Sequence, residues 1–143
     1  MATDRTASAT WHGSLLEGAG TIDAVGSGAF GPLDVTWASR AEDPAGRTSP
    51  EELIAAAHAA CFSMALSHGL AADGTPPEEL QTSATVTFVP GTGITRVALR
   101  VRGVVPGLDE AGFVAKAEGA KANCPVSKAL AGVPEITLDA ALV

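Results

Sequence analysis

The sequence predicts one α+β domain built on a central, buried helix, and three observations carry that expectation. The stretch from Thr48 to His68 is apolar or small on nearly every side, which covers too much of the circumference for a surface helix with one wet face. Several shorter stretches alternate apolar and polar residues with the period of half-buried strands. Together they give the order β-β-β-α-β-β-α-β, in a chain of 143 residues that is long enough for a single core.

Residues 8 to 16 and 19 to 25 read as a hairpin broken near Glu17-Gly18, and Gly26 to Pro32 as a loop without the pattern of a phosphate-binding loop. Leu33, Val35 and Trp37 alternate with Asp34, Thr36 and Ala38, a third strand that delivers Arg40 at its end. The polar loop from Ala41 to Arg47 leads into the long helix. Ser49, Pro50 and Glu52 supply its capping hydroxyl, its first-turn ring and a capping-box carboxylate. It is expected to stop between Gly69 and Gly74, with a short turn or single helical turn at Pro76 to Leu80. Ala84, Val86 and Phe88, a Pro90 to Gly93 turn, then Val97, Leu99 and Val101 form a second hairpin with Arg96, Arg100 and Arg102 on its solvent face. Asp109 caps a helix with an apolar stripe of Phe113, Ala117 and Ala120 and an exposed Glu118 and Lys121 pair. A short helix follows Cys124, and Ile136, Leu138, Ala140 and Leu142 alternate in a last strand.

Hydrophobic residues at 46% and charged residues at 17% are a globular composition. A net charge of −7 without any Lys/Arg cluster argues against nucleic acid as a partner. The N-terminal residues lack the basic and apolar regions of a signal peptide, and the longest apolar run reads as too short and interrupted to span a bilayer. The expectation is a cytosolic protein with no membrane partner. In that reducing compartment two cysteines make a poor staple and a reasonable redox or nucleophilic pair.

Cys61 sits about three turns into the long helix, beyond the reach of either end of the helix dipole, so its thiolate needs a cation from elsewhere. Arg40 and Arg47 are the nearest in sequence. Cys124 precedes Pro125, which turns it out of helical geometry and makes it a plausible N-cap, where amides favour a thiolate; a buried cap cysteine is an equally ordinary reading. His58, three residues before Cys61 on the same face, is either a catalytic base or a packed or interfacial histidine. The spacing of His58, Cys61, His68 and Cys124 lacks the tight pairs typical of zinc, so no metal site is expected, and chemistry carried by thiols would need no haem or flavin cofactor. Glu51, if Glu52 closes the capping box, is available for another role at the positive end of the helix.

Residues 49 to 67 (Ser-Pro-Glu-Glu-Leu-Ile-Ala-Ala-Ala-His-Ala-Ala-Cys-Phe-Ser-Met-Ala-Leu-Ser), 123 to 130 (Asn-Cys-Pro-Val-Ser-Lys-Ala-Leu) and 136 to 139 (Ile-Thr-Leu-Asp) resemble the OsmC/Ohr family of thiol-dependent hydroperoxide reductases, most closely its OsmC branch. The likeness extends from Trp11-His12-Gly13 through the last strand. It implies an OsmC-like fold, antiparallel sheets around the central helix in an intertwined homodimer. It also implies a peroxidase acting on organic hydroperoxides and hydrogen peroxide. Cys61 would be the peroxidatic thiolate and Cys124 the resolving thiol of an intramolecular disulfide. Arg40 would be the activating arginine, with Arg47 its substitute, and Glu51 the carboxylate that orients it. A dithiol or lipoylated-protein reductant would restore the thiols.

Helix geometry adds a constraint of its own. Glu51 and Cys61 are ten positions apart, which on one unbroken helix is about 15 Å along the axis and about 80° around it. If both serve one site, Glu51 reaches the thiol of a partner subunit across a two-fold interface. Two other readings compete: a Cys-His hydrolase or acyltransferase using Cys61 and His58, and a non-catalytic dimer that binds an apolar ligand.

Overall fold

Backbone pairing sorts the strands into two separate three-stranded sheets. The computed structural model describes residues 1–143, which form two compact units, Met1–Pro50 and Glu51–Val143. In the first, β1 (Ala9–His12), β2 (Ala19–Ile22) and β3 (Leu33–Val35) pair antiparallel in that order. The first hairpin is where the sequence puts it, with shorter strands. The third strand, however, does not run to Arg40. Ser39 N–H donates to the Thr36 hydroxyl at 3.0 Å, and Thr36 N–H to the Ser39 hydroxyl at 2.9 Å. This capping box overrides the apolar alternation and starts the short helix α1 (Trp37–Ala41), so Arg40 lies on a helix rather than at a strand end.

The second unit opens with α2 (Pro50–Ala72), of which Pro50 itself belongs to the first unit. Its end is a Schellman motif: Thr75 N–H donates to Leu70 O and Gly74 N–H to Ala71 O, with Gly74 at φ +83°. Beyond it, Pro76 and Pro77 form no helical turn, and the chain passes directly into β4 (Glu79–Val89). β4 pairs antiparallel with β5 (Gly93–Val104), as predicted. Asp109 caps α3 (Glu110–Asn123), accepting from Gly112 N–H at 2.8 Å, and Phe113, Ala117 and Ala120 are its buried stripe, again as predicted. α4 (Pro125–Ala129) follows, then β6 (Glu135–Leu142).

Two expectations are corrected here. The sheets are not all antiparallel, because β6 runs parallel to β5. Its connection passes through α3 and α4, long enough to return the chain to the starting end of the sheet, which a hairpin cannot do. Nor is α2 buried all round within this chain. Its buried residues other than Glu51 are His58, Phe62, Leu66 and Leu70, one stripe of i, i+4 spacing, while Ala57 and Ala60 are exposed and Met64 is 73% exposed. Alanines raise the apolar count of a helix but bury little surface on a neighbour. At 23 residues with hydropathy 1.4, α2 is also long and apolar enough to cross a bilayer by length and composition, so the reading that no run suffices is corrected too. Its core stripe packs instead with Leu99 and Val101 of β5 and Phe113 and Ala117 of α3.

The arginine face of β5 is paired rather than open to anions. Parallel register sets Arg96 beside Glu135 and Arg100 beside Asp139, and Arg102 makes a two-pronged contact to Asp139 at 2.8 and 3.2 Å. On the opposite face Gly103 leaves room for Phe113: a Cβ there would lie 2.7 Å from two ring carbons and 3.2 Å from Leu80 Cδ2.

We expect Gly103→Ala to lower stability by about 1–3 kcal/mol, measured by urea unfolding, with a smaller loss in a Phe113→Leu background; equal losses in both would contradict the contact. The Arg102 guanidinium, aided by Arg100, holds the Asp139 carboxyl below its ordinary 3.8. A depressed carboxyl contributes stability above that value and loses it as pH falls through the folded one. Asp139→Asn is therefore expected to be less stable than the parent at neutral pH, with the gap closing below pH 3.8; a gap that persists into acid would exclude the charge as its cause.

Candidate active site

Two thiols interact, one from α2 and one from the junction of α3 and α4. Cys61 precedes the core residue Phe62 on α2 and is half-buried. Cys124 ends α3 and starts α4; the following proline holds it at φ −55°, ψ 128°, outside helical geometry. It is fully buried as a member of the core cluster, and Cys61 packs against that cluster. Both cysteines are in the free thiol state.

The thiols sit close enough to shift each other's ionisation in opposite directions. Burial, then the Cys124 thiol, pushes Cys61 above its ordinary value, against a smaller pull from the Val126 amide. At Cys124 burial again disfavours the anion, but the Cys61 thiol, the amides of Ser127 and Val126 and the Ser127 hydroxyl outweigh it. The net shift is downward. No formal capping hydrogen bond reaches the Cys124 sulfur, so the amides act as oriented dipoles. The pair therefore loses its first proton from Cys124 and holds the second more tightly, as two groups that cannot both carry charge at short range must.

His58 lies on the core stripe of α2 with no exposed surface. Its Nε2 is 2.7 Å from Ser127 Oγ, and its Nδ1 is buried without a partner. Neither nitrogen is bonded to Cys61, so the Cys-His nucleophile reading has no geometry behind it. Ser127 drew no attention in the sequence. The signal was its place three residues after Cys124, the spacing of an N-cap and the third helical residue.

Arg40 lies in the last turn of α1, within the N-terminal unit. Arg47 lies in the loop after it. Glu51 is buried in the first turn of α2. Phe62 belongs to the core, not to a pocket wall, and Met64 is exposed. A groove of about 740 Å³ is lined by Ala65, His68 and Gly69 of α2 and Lys116 and Gly119 of α3, but by neither thiol; Lys116 and Asp73 pair within it.

The family model described as OsmC-like protein matches residues 42–139. Peroxiredoxin OsmC of Escherichia coli (strain K12) is 42% identical over 97% of this chain and 96% of its own length. An organic hydroperoxide resistance protein of Xanthomonas axonopodis pv. citri (strain 306) is 34% identical over 66% of this chain and 67% of its own. Among solved structures, an organic hydroperoxide resistance protein OsmC from Legionella pneumophila superposes with a TM-score of 0.69 at 26% identity, covering 95% of this chain and 96% of that one. The organic hydroperoxide resistance protein OhrB of Bacillus subtilis gives 0.66 at 27% identity, covering 96% and 98%. With a family match over residues 42–139 and a relative aligned along nearly the whole sequence, the chain belongs to the OsmC family.

Proposed function

We propose that this protein is a cytosolic cysteine-based peroxidase that reduces organic hydroperoxides, and hydrogen peroxide, through Cys61 and Cys124. The observation that carries the reading is the pairing of one half-exposed thiol with one wholly buried thiol, each within range to alter the other's ionisation. The names of the relatives, a peroxiredoxin and a hydroperoxide resistance protein, support it. Cys61, the sulfur with access to solvent, attacks a peroxide oxygen as thiolate. The O–O bond breaks, the alkoxide leaves and takes a proton to become an alcohol, and Cys61 becomes a sulfenic acid. Cys124 then displaces water from that sulfur to form the disulfide. A dithiol reductant, for which we assign a lipoylated protein, reopens it by two exchanges.

Ionisation explains why an arginine is needed. The dithiol left to itself puts its charge on Cys124, the sulfur that peroxide cannot reach. A guanidinium beside Cys61 reverses that order by favouring charge on Cys61 and leaving the proton on Cys124. We assign Arg40 this role, with Arg47 as its substitute and Glu51 as the carboxylate that orients it. α2 is unbroken from Pro50 to Ala72, so Glu51 and Cys61 of one chain stand about 15 Å apart along its axis. Glu51 therefore serves the thiol of a second copy, in an intertwined homodimer of single-domain chains. The exposed stripe of Ala57, Ala60 and Met64 is a surface on which two copies of α2 could approach closely.

One equivalent of cumene hydroperoxide is expected to remove both free thiols together, and Cys124→Ser to retain a sulfenic acid that dimedone traps; an unchanged thiol count would sink the reading. Thiolate absorbance is expected to rise in two steps, one below 9.0 and one above it. Cys124→Ala should bring the Cys61 step down, since two of the causes that raise it leave with the second sulfur. Arg40→Met is expected to slow peroxide consumption by about 10- to 1000-fold, the effect of shifting the thiol by one to three pH units, whereas full activity in that variant and loss in Arg47→Met would transfer the role to Arg47.

A further inference from the structure

α4 has little apolar surface with which to hold its place. Of its five residues, Pro125, Lys128 and Ala129 are exposed, and Val126 is only partly buried against the core, so packing alone fixes it poorly. The one side-chain hydrogen bond that ties it to another element joins Ser127 to α2: Ser127 Oγ lies 2.7 Å from His58 Nε2, and both residues are buried. His58 Nδ1 has no partner. An orphaned buried N–H is rarer and costlier than an unused acceptor, so the proton is on Nε2 and the ring is the donor.

α4 cannot turn without turning Cys124. The Cys124 amide donates to Ala120 O of α3 at 2.8 Å, while its carbonyl accepts from Lys128 N–H of α4 at 3.0 Å. Its backbone therefore belongs to both helices, and the direction of its Cα–Cβ bond follows the angle between them. His58 stands three residues before Cys61 on α2, and Ser127 three residues after Cys124, so the hydrogen bond lies about one helical turn from the thiols on both segments. One contact between two segments leaves a pivot; a second, a turn away, fixes rotation as well. Cys61 packs against the buried cluster to which Cys124 belongs, and the His58 bond is the second point of attachment.

We propose that the His58–Ser127 bond is a register pin for the dithiol: it holds α4 at one rotation against α2, so that Cys124 Sγ is presented to Cys61 Sγ in the geometry a disulfide requires. His58 and Ser127 are positioning residues that act through α4. The requirement is strict, because a disulfide accepts Cβ separations of only about 3.5–4.5 Å and a dihedral of about 90°. In exchange with an oxidised dithiol, the S–S bond of the reagent breaks as the bond between Cys61 and Cys124 forms. Both protein sulfurs are oxidised, and the reagent leaves reduced with their two protons. In the peroxidase cycle the same closure follows the sulfenic acid: the Cys124 sulfur is oxidised, the Cys61 sulfur is reduced, and hydroxide leaves as water with the Cys124 proton. The consequence for turnover rests on the peroxidase reading; the pin itself does not.

The pin is read from the dithiol–disulfide equilibrium of the whole protein in mixtures of reduced and oxidised dithiothreitol, a measurement that needs no peroxide. Ser127→Ala is expected to weaken the protein disulfide by about 3- to 10-fold in that equilibrium, the worth of one hydrogen bond, and His58→Met by the same factor. The two changes together should go no further, since each removes the same bond, and His58→Gln, which restores an N–H donor, should recover most of the loss. After one equivalent of cumene hydroperoxide, dimedone should trap more Cys61 sulfenic acid in Ser127→Ala and His58→Met than in the parent. A histidine that only fills the core would lower the urea midpoint and leave the equilibrium in place. An unchanged or strengthened disulfide in Ser127→Ala overturns the pin, as does a parent that forms no disulfide with dithiothreitol; if His58→Met does not fold, Ser127→Ala alone decides. A parent that closes its disulfide with dithiothreitol but loses no thiols to peroxide would overturn the peroxidase reading, while the equilibrium still judges the pin.

Discussion

Everything in the C-terminal unit that concerns chemistry depends on the burial of one sulfur at a break between two helices. Pro125 forces Cys124 out of helical geometry, so α3 ends and α4 begins at a residue whose side chain joins the core. The Phe113, Ala117 and Ala120 stripe carries α3 onto the same cluster that holds Phe62 and Leu66 of α2. Cys61 and Cys124 are therefore neighbours for the reason that any two core residues are. Hydrophobic packing brings together a pair that 62 intervening residues separate in sequence, and no dedicated loop or metal is needed to do it.

That placement decides the electrostatics. A sulfur in mid-helix receives nothing from the dipole, and desolvation works against its charge. The sulfur at the helix start is the more deeply buried of the two but faces amides, and at Cys124 the Cys61 thiol, those amides and the Ser127 hydroxyl together prevail. The two thiols are thus inequivalent before any substrate arrives. Access and ionisation favour different sulfurs, since Cys61 is the one with exposed surface. A catalyst built on this pair must move a proton between them.

How much of this was legible in the sequence varies with the range of the interaction concerned. The Asp109 cap, the α3 stripe, the β4–β5 hairpin and the Glu118–Lys121 pair, now 3.2 Å apart, were readable because each is local. The direction of β6 was not, because an alternating strand carries no arrow. Arg40 was misplaced because two local signals disagreed, and the capping box of Thr36 and Ser39 prevailed over the alternation of Leu33, Val35 and Trp37. Both cysteines were legible as candidates, but the bond between His58 and Ser127 was not, since nothing within a few residues of either announces the other. The exposed face of α2 escaped notice because counting apolar residues treats alanine like leucine.

The same helix shows why the thiol stands at position 61. At 100° per residue, Cys61 lies about 60° round the helix from His58 on one side and about 60° from Met64 on the other. The first of these neighbours is fully buried and the second 73% exposed. Cys61 therefore occupies the seam between the core stripe and the alanine-rich face. A cysteine one position later would take the place of Phe62, closed to any substrate; one position earlier it would take that of Ala60, turned away from the second sulfur. The proposed chemistry, reaction with a solute on one side and with a buried thiol on the other, would demand a residue that belongs fully to neither face, and on α2 the seam is such a place.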